Sequence, residues 1–177
     1  TLTAAKDNTL FQEAELSNGA GDWIFAGATD PSKNNAAMRR ALLGWNLATV
    51  PAGAVVASAS VTLKMDRTIA PAYLFSLHKV TTNWGEGTSN ASIQEGDGAV
   101  ASATDATWQK PFFGQATPWT NPGGDFETRK SATLSVGGET NYTWTGPGLA
   151  ADANAWLANP AGNFGWLLKA DLESALK

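Results

Sequence analysis

Ala54 to Met65 reads AVVASASVTLKM. Val55, Ala57, Ala59, Val61, Leu63 and Met65 alternate with Val56, Ser58, Ser60, Thr62 and Lys64. A period of two sends successive side chains to opposite faces, so the run predicts a strand with one buried face. VPAG, Val50 to Gly53, precedes it as a turn signal. Upstream, RRALLGWNL (Arg39 to Leu47) alternates Ala41, Leu43, Trp45 and Leu47. The two runs are expected to pair as antiparallel neighbours across the turn.

Working outward, AYLFSLHKV (Ala72 to Val80) reads as another strand. DNTLFQEA (Asp7 to Ala14), DWIFAG (Asp22 to Gly27), SATLSV (Ser131 to Val136) and NYTWT (Asn141 to Thr145) are shorter candidates, and GNFGWLLK (Gly162 to Lys169) a late one. GLAADANAWLAN, Gly148 to Asn159, instead sets Leu149, Ala153, Trp156 and Leu157 on one helical face, stopped by Pro160 and Gly162. Many short strands and one helix predict an all-β fold. The expectation is a two-sheet antiparallel β-sandwich, jelly-roll-like, with a short helix near the C-terminus and residues 1–177 as one domain. Gly87 to Pro118 is long and strand-poor, a length usual for functional loops.

Composition narrows the function. Lys and Arg number 12 against 16 Asp and Glu, a net charge of −4, which argues against nucleic acid as a partner. No apolar run approaches the length of a membrane span. With no cysteine and only His78, disulfides and multi-imidazole metal sites are excluded. The start carries no basic and apolar leader, so any signal peptide is expected to be gone already. Richness in Ala, Gly, Thr, Ser, Asn and Trp, with few Lys and Glu, suits a secreted or cell-surface protein.

The loops hold the candidate chemistry. NWGEGTSN (Asn83 to Asn90) carries Trp84 and Glu86, TDATW carries Asp105 and Trp108, and TPWTNPGGDF carries Trp119 and Asp125. Acids beside Gly, Asn and Thr are hard oxygen donors. If the loops converge, Glu86, Asp105 and Asp125 would ligate calcium; the alternative is that each caps its own turn. Of the eight tryptophans, Trp45, Trp156 and Trp166 lie on patterned elements and belong to the core. Trp84, Trp108, Trp119 and Trp144 lie in or beside loops, and either bind a ligand, as flat faces for sugar rings, or plug the loops onto the sandwich. His78, in an alternating strand, reads as structural or solvent-facing. No nucleotide, P-loop or metalloprotease motif is present.

Read in order, AAKDNTL, NGAGDWIFAG, RRALLGWNLATVPAGAVVASASVTLKM, LHKVTTNWGEGTSN, DATW, PWTNPGGDF, YTW and WLANPAGNFGWLLK resemble the DNRLRE domain family of secreted bacterial and archaeal proteins. That resemblance implies a β-sandwich similar to carbohydrate-binding modules, and a framework role for NWGEGTSN. Family members continue past the GW-strand through an Arg-Phe-x-Ser-Arg-Glu segment to a last strand. Here the chain reads ADLESALK instead, so one sheet edge is expected to lie open unless ADLESALK or TLTAAKDN fills it.

Three functions follow as expectations. The first is a non-catalytic module that binds polysaccharide. The second is a structural subunit of a surface layer, adhesin or extracellular fibre, self-associating by strand addition at the open edge. The third is a glycan lyase or hydrolase, for which Glu86 and Asp125 are the only carboxyl pair to test.

Overall fold

In the computed structural model, residues 1–13, 15–29 and 37–173 are described. The elements are β1 (Lys6–Phe11), β2 (Leu16–Ser17), β3 (Gly27–Ala28), β4 (Met38–Gly44), β5 (Ser60–Lys64), β6 (Tyr73–Val80), β7 (Ala99–Val100), β8 (Phe126–Val136), β9 (Asn141–Thr145), α1 (Pro147–Ala158) and β10 (Trp166–Ala170). The main sheet runs β1-β4-β10-β6-β8, with β3 also on β4, and every pairing is antiparallel. The ribbon β5–β9 and the small pair β2–β7 stand apart from it. The fold is all-β and sandwich-like, with a single α-helix among the described residues, near the C-terminus, as expected.

The main sheet is apolar on both faces. On one, Ala41, Leu43, Leu77 and Leu168 meet Val61 and Trp144 of the ribbon and Leu149 and Trp156 of α1. On the other, Leu10, Leu42, Val80 and Leu167 meet Trp84, Trp108 and Trp119 from the long loops. So β4 and β10 are buried on both sides, and the loops form a layer of their own. The helix docks through Leu149, Ala153 and Trp156, while Leu157 is only half-buried. Asp152 anchors it, accepting from Trp166 Nε1 at 2.8 Å and from Ser131 Oγ and Arg129.

Several expectations are corrected. Only Ser60–Lys64 of the Ala54 to Met65 run is strand, and Val55 is 83% exposed. Alternation fails there because the segment meets α1 through its backbone: Val56 N–H donates to Asn154 Oδ1 and Val56 O accepts from Asn154 Nδ2. The two opening runs are not neighbours, since β4 and β5 lie in different layers. Asp22 to Gly27 is not a strand, apart from Gly27 in β3. Ser131 to Val136 is the end of a longer strand that begins at Phe126. Ala14, the end of the Asp7 to Ala14 prediction, lies outside the described residues. So do the last four residues of ADLESALK.

The GW-strand itself leaves no open edge. β10 is paired on both sides, by β4 and β6. Beyond it, Asp171 N–H donates to Leu74 O and Glu173 binds Arg40. The N-terminal segment leads into β1, with Ala5 N–H bonded to Gly44 O. Among the described residues β1 and β8 end the main sheet with one partner each, and in the second layer β5 pairs only with β9.

Candidate functional site

NWGEGTSN is packed as framework. A Cβ on Gly85 would stand 1.8 Å from Thr104 O, and one on Gly87, at φ +80°, would stand 1.6 Å from Asp105 Oδ1. Only glycine lets this segment lie against residues 104–105. Trp84 is 1% exposed, its Nε1 donating to Phe164 O at 2.8 Å, with Lys6 Nζ 4.0 Å over its ring. Glu86 Oε1 accepts the Asp7 N–H at 3.0 Å. Burial and the neighbouring Glu86 push the Asp7 carboxyl above its usual range.

The four tryptophans named from sequence are all closed. Trp108, Trp119 and Trp144 are buried as Trp84 is. Trp119 Nε1 donates to Thr107 O at 2.8 Å, and Trp144 Nε1 to Phe75 O at 2.9 Å. Their ring faces are packed in the two cores, so none is an open platform for a sugar.

The three acids are each committed to nearby backbone. Asp105 takes the Ser89 and Ser102 amides. Asp125 takes the Thr120 and Asn121 amides, both at 3.0 Å, and the Thr82 hydroxyl. Burial pushes the Asp125 carboxyl up, but these amides and the Thr82 and Thr120 hydroxyls outweigh it and hold it below its ordinary value. Among the described residues no three His, Asp or Glu gather as a cation site. His78 is buried, with Nδ1 2.9 Å from Glu127 O and the ring against Phe126; burial lowers its pKa.

Sequence reading missed a second set of polar anchors. Asn8 Nδ2 donates to Glu86 O at 2.9 Å, while its Oδ1 accepts from Ser17 Oγ. Buried Glu95 takes Asn18 Nδ2 and the Trp23 amide. The bonds to Glu86 and Glu95 join residues 72 to 78 apart, and no local pattern marks them.

The open feature lies on the opposite face. A cleft of about 420 Å³ separates β5 from the segment around β3. That size falls within the range of ordinary ligand sites. Its lining includes Ala41, Phe75 and Leu168 of the main sheet, of which Phe75 is half-buried and the other two buried, together with Leu63, Lys64 and Met65. Tyr73, Tyr142 and Trp144 contribute aromatic edges, and Arg67 stands at the mouth. Its described lining contains no Asp, Glu, His or Cys. Position explains the cleft. β9 is joined to β8 by the turn in which Gly137 bonds the Tyr142 hydroxyl. Beyond β5 the cleft is bounded by residues 24–29 and 68–71 rather than by a further strand paired with β5.

No protein-family model matches this chain, and no curated protein or solved structure matches it. No helix among the described residues is long and apolar enough to cross a membrane.

Proposed function

We propose that this chain is a non-catalytic recognition module of a secreted or cell-surface protein, holding an extended polymer in the cleft between its layers. One observation carries this reading: a cleft with apolar side chains, the end of a strand edge beside it and lysine and arginine at its rim, whose described lining offers no carboxyl or imidazole for acid–base chemistry. Such a lining suits binding. The four tryptophans named from sequence sit inside the cores, so recognition moves from the loops to the cleft. The DNRLRE-like order of motifs and the composition support the extracellular setting.

The polymer in a structural subunit of a surface layer, adhesin or fibre is a polypeptide, and the unpaired edge of β5 favours it. Polysaccharide, the ligand implied by the resemblance, is a second reading, favoured by half-buried Tyr73, Phe75 and Tyr142 in the lining. The test is affinity electrophoresis of the chain through a panel of soluble polysaccharides and extended peptides. Arg67→Glu and Tyr73→Ala should weaken whichever ligand is retained. Ile93→Ser, on an exposed residue outside the lining, should leave it unchanged. Retention that ignores both cleft variants would refute the cleft as the site.

A further inference from the structure

We infer that the cleft binds an extended peptide as an added antiparallel strand on β5, with apolar side chains at alternate positions and a carboxylate near its N-terminal end. This rests on the reading that the cleft is the binding site, and it names the occupant.

Register decides which backbone groups are available. Lys64 lies opposite Asn141, so Met65 lies opposite Thr140, and the Met65 N–H donates to Thr140 O at 2.8 Å. In an antiparallel ladder such bonded pairs alternate. Val61, Leu63 and Met65 therefore turn their N–H and C=O groups toward β9, while Ser60, Thr62 and Lys64 turn theirs to the outer edge. The side chains agree: Thr62 Oγ1 and Thr143 Oγ1 touch at 2.9 Å, as suits a close, non-bonded pair. No described residue pairs with that outer edge.

The cleft lies beside the same edge. Leu63, Lys64 and Met65 line it while Ser60 and Thr62 do not, so the cleft meets this edge at its C-terminal end, at Lys64. An incoming strand would find outward backbone groups on one side and half-buried apolar side chains of the lining, Leu63 and Phe75, beneath alternate side chains. A sugar would use the lining and leave the backbone groups to water. Charge fixes the end. Lys64 is held by Asp66, but Arg67 is exposed and has no partner among the described residues. It follows the C-terminal end of β5, where the N-terminus of an antiparallel strand would lie. Antiparallel pairing is also the more stable arrangement.

The probe is a fluorescein-labelled heptapeptide with valine at alternate positions, threonine between them and one glutamate at its N-terminal end, titrated with the full chain and read by anisotropy. Binding is expected, and moving the glutamate to the C-terminal end should weaken it. Thr62→Pro removes an outward N–H while leaving the β9 ladder intact, because proline is tolerated where a strand's N–H faces outward. It should weaken binding about tenfold, the loss of one well-placed backbone bond, with an unchanged melting temperature. A peptide N-methylated on its β5-facing amides should fail to bind the unaltered chain, which keeps the test valid if the proline variant does not fold. Equal binding by the N-methylated and parent peptides would overturn strand addition. So would retention of polysaccharide alone, with loss in Arg67→Glu; that result would preserve the cleft reading. Concentration-dependent dimers that vanish with Thr62→Pro would support strand addition, with a second copy as the donor. Peptide binding indifferent to Arg67→Glu, Tyr73→Ala and Thr62→Pro would refute both readings.

Discussion

Asp125 shows how single loop residues carry this fold. Its carboxylate holds residues 120 and 121 by their amides and reaches back to Thr82 at the end of β6. Its folded pKa lies below the ordinary 3.8, so the charged form stabilises the native state. That contribution is fully present above the ordinary value and is lost as pH falls through the folded one. Asp125→Asn should therefore cost about 2 kcal/mol at pH 7, the scale of charge-assisted bonds to amides. It should cost less in strong acid, once the pH has fallen through the lowered folded value and the native carboxylate is itself protonated. Urea melts at the two pH values check the sign, and an equal loss at both would mean charge plays no part. Trp84 carries packing instead. It is among the largest fully buried side chains, and Trp84→Ala should destabilise by about 3–5 kcal/mol in the same assay.

At the scale of elements, β5 joins the legible to the illegible. Its outward N–H groups predict a pattern: the amides of Thr62 and Lys64 should exchange hydrogen quickly and those of Val61 and Leu63 slowly. Uniform protection along β5, measured by NMR, would mean that a partner already covers the edge. The loop acids yield a second prediction. Calcium takes about 6–8 oxygens. Glu86, Asp105 and Asp125 each spend oxygens on nearby amides and gather into no common group. Melting temperature in millimolar calcium should match that in chelator; a rise following RT ln(1 + [L]/Kd) would show that the loops rearrange around a metal. The same residues mark what the sequence could show. NYTWT and the helix were readable because each has one wet face and one dry face. β4 was misassigned a partner because both its faces are dry, and alternation cannot say which strand lies beside it. The tryptophans were ambiguous because a plug and a platform share the same flanking Gly, Thr and Asn. The cleft could not be read at all, since it is made where Leu63, Phe75 and Leu168 meet from three distant strands.

For the molecule as a whole, the main sheet is what both cores share among the described residues. Ala41 and Leu42 are adjacent on β4 and fully buried, one in each core. Losing either layer would expose one apolar face of the same strands to water, so neither core is expected to survive the other. Small single domains usually unfold in one step for this reason. Trp156→Ala in the helix-side core and Trp84→Ala in the loop-side core should therefore each lower a single midpoint seen identically by far- and near-ultraviolet circular dichroism. The slope of the denaturant transition should be unchanged, since the surface exposed on unfolding is nearly the same. The ribbon is the exception to watch. It is two-stranded, a form marginal by itself, and it is tied to the sheet through Trp144 and Val61. If Trp156→Ala splits the transition while Trp84→Ala does not, the ribbon and helix form a separate unit. The cleft beside β5 would then be a seam between two folding units rather than a gap within one.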